Sequence, residues 1–343
     1  GADGMKKYDV VALGELLIDF TENGVSAQGN PLMEANPGGA PCNVLAMLKR
    51  LSKKPAFIGK IGEDIFGKQL EKALQDVGID TRGLKKSEEV RTTLAFVHTM
   101  EGGDREFSFY RNPGADMMLE EADLDEALIR DSRIFHYGSL SMTHENCKRA
   151  TRRAIDAAKE SGAVLSFDPN LRESLWGSLE DAKEQILYGM EHCQILKISD
   201  NEIQWLTGEE DFDKGIDWIR ERFSIPLILL SMGKEGSRAY TEGKRVETPA
   251  FVQEKTVETT GAGDTFCACV LNYVLENLLA GDWPEDADEG RALFAEKCKA
   301  CTEEQLRDML RFANAAASIV TTKKGALRVM PERAEVEAFL ADK

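Results

Sequence analysis

Along the chain, apolar runs of strand length alternate with segments whose apolar positions recur at helical spacing. The runs are DVVALG at 9–14, PAFIG at 55–59, IFHYG at 134–138, AVLSFD at 163–168, QILKIS at 194–199 and PLILLS at 226–231. Between them, Cys147, Ala150, Thr151, Ala154 and Ala158 face one way, while Lys148, Arg149, Arg152 and Arg153 face another, as an amphipathic helix requires. Strand, helix, strand repeated this often predicts an α/β fold with a doubly wound, mainly parallel sheet flanked by helices. Two stretches break the alternation, about 16–36 and 91–110. In the second, TTLAFVHT and REFSFY flank EGGD and read as a hairpin. We read both as a small β lid inserted into a single domain spanning 5–343.

Further along, GDWPEDADEGRALFAEKCKAC at 281–301 is acidic and poorly periodic, and reads as an insertion or long surface loop. Thr302 and Gln305 form a capping box that starts a helix whose apolar face carries Leu306, Leu310 and Ala313.

Charge narrows the partners. Against 43 basic residues stand 60 acidic ones, a formal net charge of -17, which repels phosphate backbones and argues against nucleic acid. No apolar run is long enough for a membrane span. Gly1 to Gly4, before Met5, read as a cloning remnant rather than a signal peptide. The 7 cysteines are odd in number and scattered, which fits a reducing cytoplasm. Cys298 and Cys301 have metal or redox spacing, but no second pair or nearby histidine completes a site. The 4 histidines, His98, His136, His144 and His192, are not spaced as metal ligands.

Candidate chemistry gathers at strand ends. Asp19 follows the first apolar run; Gly38, Gly39 and Asn43 open a helix; Asp168, Asn170 and Arg172 follow AVLSF. Ser199 and Glu202 follow QILKI, and Ser231 and Gly233 follow PLILL. In a parallel sheet these share the carboxyl edge, where ligands bind in open α/β folds. The stretch ETTGAGDTF at 258–266 precedes Phe266, Val270, Tyr273, Val274 and Leu278 at helical spacing. Its glycine turn feeds the unpaired N–H groups of a helix start, a natural seat for an anion. Neither a P-loop nor a G-x-S-x-G elbow occurs.

These motifs resemble the ribokinase-like carbohydrate kinases, the phosphofructokinase-B family, over nearly the whole chain from Tyr8 to Pro331. GGAPCNV at 38–44 is similar to the first family signature, TTGAGDTF at 259–266 to the second. NPGGAPCN, FYRNPGADM at 109–117, FDPNLRESLW at 167–176, KISDNEIQWLTG at 197–208 and FANAAASIVTTKKGA at 312–326 resemble the fructokinases most. Keto-deoxy-sugar kinases share the framework but usually lack the FYRNPGADM-like stretch. A sugar-binding regulator on the same scaffold is the non-enzyme alternative; the intact Asp264 and GAG turn favour the enzyme.

The resemblance implies MgATP-dependent phosphorylation of a primary hydroxyl of a sugar. Asp264 would be the base, the Gly261, Ala262 and Gly263 amides would stabilise the transferring phosphoryl group, and Arg172 would bring a cation to the phosphates. Asp19, Gly38, Gly39, Asn43, Phe109, Arg111, Asp168 and Asn170 would bind the sugar side. Lys197, Ser199, Ser231, Gly233, Gly236 and Asn314 would serve the nucleotide, and Glu202 would order hydrated Mg2+. Many relatives carry an aspartate associated with a monovalent cation where this chain has Glu258, so K+ dependence stays open. Ser199 replaces the family's usual asparagine, and Leu45 stands where a small residue is usual. The lid also implies a homodimer.

Overall fold

The computed structural model describes residues 5–100 and 105–343. In chain order, β1 (Tyr8–Leu13), β2 (Leu17–Val25) and β3 (Pro31–Gly38) lead into α1 (Ala40–Arg50), β4 (Pro55–Gly62), α2 (Ile65–Asp76) and β5 (Asp80–Ser87). The hairpin β6 (Leu94–Thr99) and β7 (Arg105–Tyr110) precedes α3 (Glu126–Arg130), β8 (Ser132–Gly138), α4 (Glu145–Ser161), β9 (Val164–Asp168), α5 (Leu179–His192) and β10 (Ile195–Ser199). Then come α6 (Asp200–Thr207), α7 (Phe212–Arg222), β11 (Leu227–Ser231), β12 (Ser237–Thr241) and β13 (Lys244–Thr248). The chain finishes with α8 (Ala262–Tyr273), α9 (Ala287–Ala300), α10 (Glu303–Val320) and α11 (Arg333–Ala341).

A 9-stranded sheet runs β13-β12-β11-β10-β9-β8-β1-β4-β5, and a 4-stranded sheet runs β3-β2-β6-β7. In the large sheet all pairings are parallel except β11–β12 and β12–β13. Its central strands are apolar on both faces because helices cover both. Along β1, Val10 and Ala12 enter one core with α1, α8 and α10, while Val11 and Leu13 enter the other with α4 and α5. After β1 the chain builds outward through β4 and β5, then returns to β8 on the opposite side of β1. That reversal opens a crevice beyond the carboxyl ends of β1 and β8. Register brings the polar strand ends level there, Gly138 beside Asp168 and Ser199 beside Ser231.

The six apolar runs all form strands. β5, β12 and β13 were not expected, because DTRGLKKS, SRAYT and KRVET carry too many polar residues to stand out. β5 and β13 sit at the sheet's ends and keep exposed polar residues, while β12 is largely buried yet carries Ser237 and Thr241. The region read as a loop at 281–301 is corrected: 287–300 form α9. Asp286 caps it by accepting the Glu289 N–H, and only Gly290, Phe294 and Cys298 are buried, a stripe one residue wide that periodicity does not reveal. The capping box at Thr302 is formed as expected, with Leu306, Leu310 and Ala313 buried. The helix after Asp264 turns π-helical over Val274–Leu278. The hairpin pairs Leu94 with Tyr110 through Thr99 with Arg105, while its EGGD turn, and Gly1 to Gly4, lie outside the described residues. All 7 cysteines are free and buried, so Cys298 and Cys301 form no disulfide.

Candidate active site

The turn before α8 has a backbone that few side chains allow. Gly261 caps the helix with φ 84°, and a Cβ there would lie 2.5 Å from the Ala326 Cβ. Of the amides expected to face a phosphoryl group, that of Ala262 is already bonded to the Thr259 carbonyl at 3.2 Å. The Gly261 and Gly263 N–H groups have no acceptor among the described residues. Asp264 stands in the first turn of α8, where the helix dipole favours a carboxylate.

The opposing wall is the start of α1. Gly39 caps it at φ 125°, so tightly packed that a Cβ would fall 2.5 Å from the Glu15 carbonyl oxygen. One helical turn on, the Asn43 side-chain N–H donates to Asp264 Oδ2 at 3.0 Å. Asn43 Oδ1 is buried without a partner, a free acceptor for an arriving hydroxyl. Burial raises the pKa of Asp264 to about 6; Asp168 pushes the same way, while the Asn43 bond, Lys197 and Arg172 pull it down. The group is thus ionised near neutrality yet ready to take a proton.

A cavity of about 380 Å³ lies between these walls, lined by Asp19, Gly38, Gly39, Asn43, Asn170, Arg172, Glu258, Gly261, Gly263 and Asp264. The small sheet closes it with Thr21, Val97, Arg105, Phe107 and Phe109, the alternate residues of its strands, so one face of that sheet points inward. Gly38 matters beside Asp19, because a Cβ there would lie 2.2 Å from Asp19 Oδ2. Burial lifts Asp19 to about 6 against the attraction of Arg172.

Asn170, Arg172, Lys197, Phe107 and Phe109 also line an adjoining cavity of about 550 Å³, with Asp168, Ser199, Glu202 and Trp205. Lys197 Nζ stands 3.2 Å from Asp168 Oδ2. Burial opposes the Lys197 charge, but Asp168 and Glu202 outweigh it and hold the ammonium above its ordinary pKa. Glu202 and Ser199 form a capping box on α6, and the Glu202 carboxylate accepts N–H groups from Ser199 at 2.9 Å and Leu171 at 2.8 Å. Burial raises its pKa. Asn170, at φ 44°, is turned by its own N–H bonding Asp168 Oδ1 at 3.2 Å.

Other expected residues stand elsewhere. Arg111 lines neither cavity: it is buried, pairs with Asp116 at 2.9 Å and donates to the Leu140 carbonyl. It thereby braces Leu140, which lines the smaller cavity. Ser231, Gly233, Gly236 and Asn314 also lie outside both cavities. Asn314 is engaged in bracing, accepting from Ser237 Oγ at 2.9 Å and donating to the Pro249 carbonyl at 3.1 Å. Glu258 accepts the Gly325 N–H at 2.9 Å, which ties the residues before Gly261 to the loop after α10. Among the described residues no group of three or more His, Cys, Asp or Glu side chains is arranged to hold a metal. Sequence reasoning missed Glu15, Arg105, Phe107 and Thr260. Glu15 carried a signal, a polar residue just beyond a buried strand, whereas Asp19, read as following the first strand, stands within β2 of the small sheet. Thr260 lies inside the TTGAGDTF signature, and for Arg105 no local signal exists, since its contact with Thr260 joins distant segments.

A carboxylate and unpartnered helix-start amides face one cavity beneath the small sheet, and comparison with known proteins gives the class. The chain belongs to the pfkB family of carbohydrate kinases, whose family pattern matches residues 7–333. Within it, the chain is 40% identical over 341 residues to "Probable fructokinase-2" of Arabidopsis thaliana, covering 99% of this chain and 98% of the relative. The fold matches a fructokinase with bound ATP from Xylella fastidiosa with a TM-score of 0.85 at 29% identity, covering 97% and 98% of the two chains. A fructokinase from Vibrio cholerae O395, in a form with fructose, ADP and calcium ion bound, matches with a TM-score of 0.82 at 29% identity, covering 97% and 99%.

Proposed function

We propose that this chain transfers the γ-phosphate of MgATP to the primary hydroxyl of fructose, giving fructose 6-phosphate. The observation that carries the reading is the Asn43–Asp264 contact beside the unpartnered Gly261 and Gly263 amides. The sugar oxygen attacks the γ-phosphorus while the bond from that phosphorus to the β-phosphate oxygen breaks, and the hydroxyl proton passes to Asp264. Because an alcohol is a far weaker acid than a carboxylic acid, proton transfer accompanies attack and does not precede it. The Gly261 and Gly263 amides, Arg172 and Lys197 stabilise the negative charge. Asp19, Asn43 and Asn170 hold sugar hydroxyls, and Phe107 and Phe109 exclude water.

Glu202 suits a hydrated Mg2+: its oxygens already accept amide N–H groups, so remaining lone pairs take metal-bound water, and the ion, when bound, neutralises phosphate charge. Glu258 is a candidate for a monovalent-cation loop. Fructokinase relatives support fructose as acceptor. The seven free cysteines support a cytoplasmic setting, and no helix among the described residues is long and apolar enough to cross a membrane. Coupled-assay rates across fructose, 2-keto-3-deoxygluconate, ribose and nucleosides test the proposal. Fructose is expected to give the highest kcat/KM; preference for another acceptor, or no turnover, overturns it.

A further inference from the structure

Glu15 is a buried carboxyl at the wall of the smaller cavity to which the phosphoryl transfer above gives no task. It lies two residues after β1 and is 5% exposed. Two contacts fix the start of α1 upon it. Its Oε1 accepts the Ala40 N–H at 3.3 Å, and its backbone carbonyl packs against Gly39 closely enough to forbid a Cβ. Ala40 is the first residue of α1, and Asn43, whose N–H bonds the Gly39 carbonyl, lies within that same first turn. Asn43 in turn holds Asp264. A chain of three contacts therefore connects the carboxyl of Glu15 to the orientation of the base.

We propose that Glu15 is a positioning residue: by binding the Ala40 N–H it seats the first turn of α1, and with it the Asn43 amide that aims Asp264. This inference rests on the kinase reading of the site. Asp116 and Arg111 face Glu15 from behind, Asp264 from α8 and Cys42 from α1. Arg111 and Asp116 already pair with one another, so Glu15 is a surplus carboxyl in the group. Burial lifts its pKa to about 7, with Asp116 and Asp264 adding to the rise and Arg111 opposing it.

Two variants and two measurements test this. Glu15→Gln keeps an oxygen to accept the Ala40 N–H but removes the charge; Glu15→Ala removes both. For Glu15→Ala, kcat is expected to fall about tenfold, the scale of one lost buried polar contact, with the KM for ATP little changed. For Glu15→Gln, kcat at pH 7 stays within about threefold, because the acceptor for the Ala40 N–H is kept. Hydrogen exchange without ligands, read on 40–44, should quicken in Glu15→Ala and not in Glu15→Gln. Wild-type exchange and kcat in Glu15→Ala overturn the proposal, as does a Glu15→Gln variant that loses as much activity as Glu15→Ala. Should Glu15→Ala not fold, a Glu15→Gln variant whose kcat falls about tenfold or whose exchange on 40–44 quickens overturns it. The exchange measurement needs no substrate, so absence of kinase turnover in the wild type would remove the proposed function and leave the positioning claim separately judged.

Discussion

Asp264 combines two demands that conflict in one side chain. Proton acceptance requires it ionised at working pH, and the closed cavity requires it buried, which favours the neutral form. The Asn43 bond, Lys197 and Arg172 settle the balance near pH 6. Activity should therefore fall as pH drops through about 6, measured as kcat/KM for the sugar. Replacing Asp264 by Asn should lower kcat by roughly 10²–10⁴-fold, the usual contribution of a general base, with both KM values changed little. An unchanged kcat rules this base out. Stability should move the other way. The folded pKa lies above the ordinary 3.8, so the contribution is most favourable below that value and is lost as pH rises through about 6. Asp264→Asn should accordingly melt higher than the wild type at pH 8, by a gain on the order of 3 kcal/mol before relaxation, shrinking toward pH 4. A gain independent of pH would show that burial of the charge is not its cause.

At the scale of elements, the site depends on helix starts pressed against strand exits, and glycine permits the approach. Gly39 and Gly233 both have positive φ, 125° and 56°, but their surroundings differ. A Cβ on Gly39 would strike the Glu15 carbonyl at 2.5 Å, whereas one on Gly233 meets nothing within 4 Å. Gly39→Ala should cost about 1–3 kcal/mol from backbone strain alone, with further loss from the clash and a fall in kcat as α1 shifts. Gly233→Ala should cost about 1 kcal/mol. Denaturant melts decide, and equal costs would mean that packing against Glu15 is soft. The same contrast explains what the chain disclosed in advance. β1, β8, β9, β10 and β11 were legible because two covering layers leave a strand few polar positions. β5, at one end of the sheet with exposed Arg82 and Lys86, was not. Asp19, Asn43, Asn170, Arg172 and Asp264 announced themselves as polar groups at apolar boundaries and do line the cavities. Arg111, which only the resemblance had pointed to, is absorbed by Asp116, a partner five residues along that only the folded turn brings back upon it.

Across the whole molecule, the small sheet has two different faces. Arg105, Phe107 and Phe109 point to the cavity, while Phe20, Phe96 and Tyr110 form an aromatic row on the other side, with ring centroids 4.7 and 5.1 Å apart. Tyr110 is 64% exposed there, as a homodimer contact through the lid would require of an isolated chain. Sedimentation velocity should find a dimer that Tyr110→Asp weakens; a monomeric wild type removes that expectation. The inner face is tied down at two points. Arg105 donates to Thr260 Oγ1 at 3.2 Å, and Lys324 pairs with Glu34 at 3.4 Å. Thr260 directly precedes Gly261, and Gly325, next to Lys324, donates to Glu258. Both ties thus end on the segments that shape the phosphoryl cradle, so the small sheet and the cradle are joined by direct contacts. Fructose binding should therefore slow amide exchange in 17–38 and 94–99. Arg105→Ala should raise the KM for fructose about 2–10-fold, the equivalent of one exposed charged hydrogen bond, and shrink the protection that fructose confers on 94–99. Thermal stability should hardly change, since Arg105 is exposed. Unaltered KM and full protection in that variant would show that the lid closes without this tie.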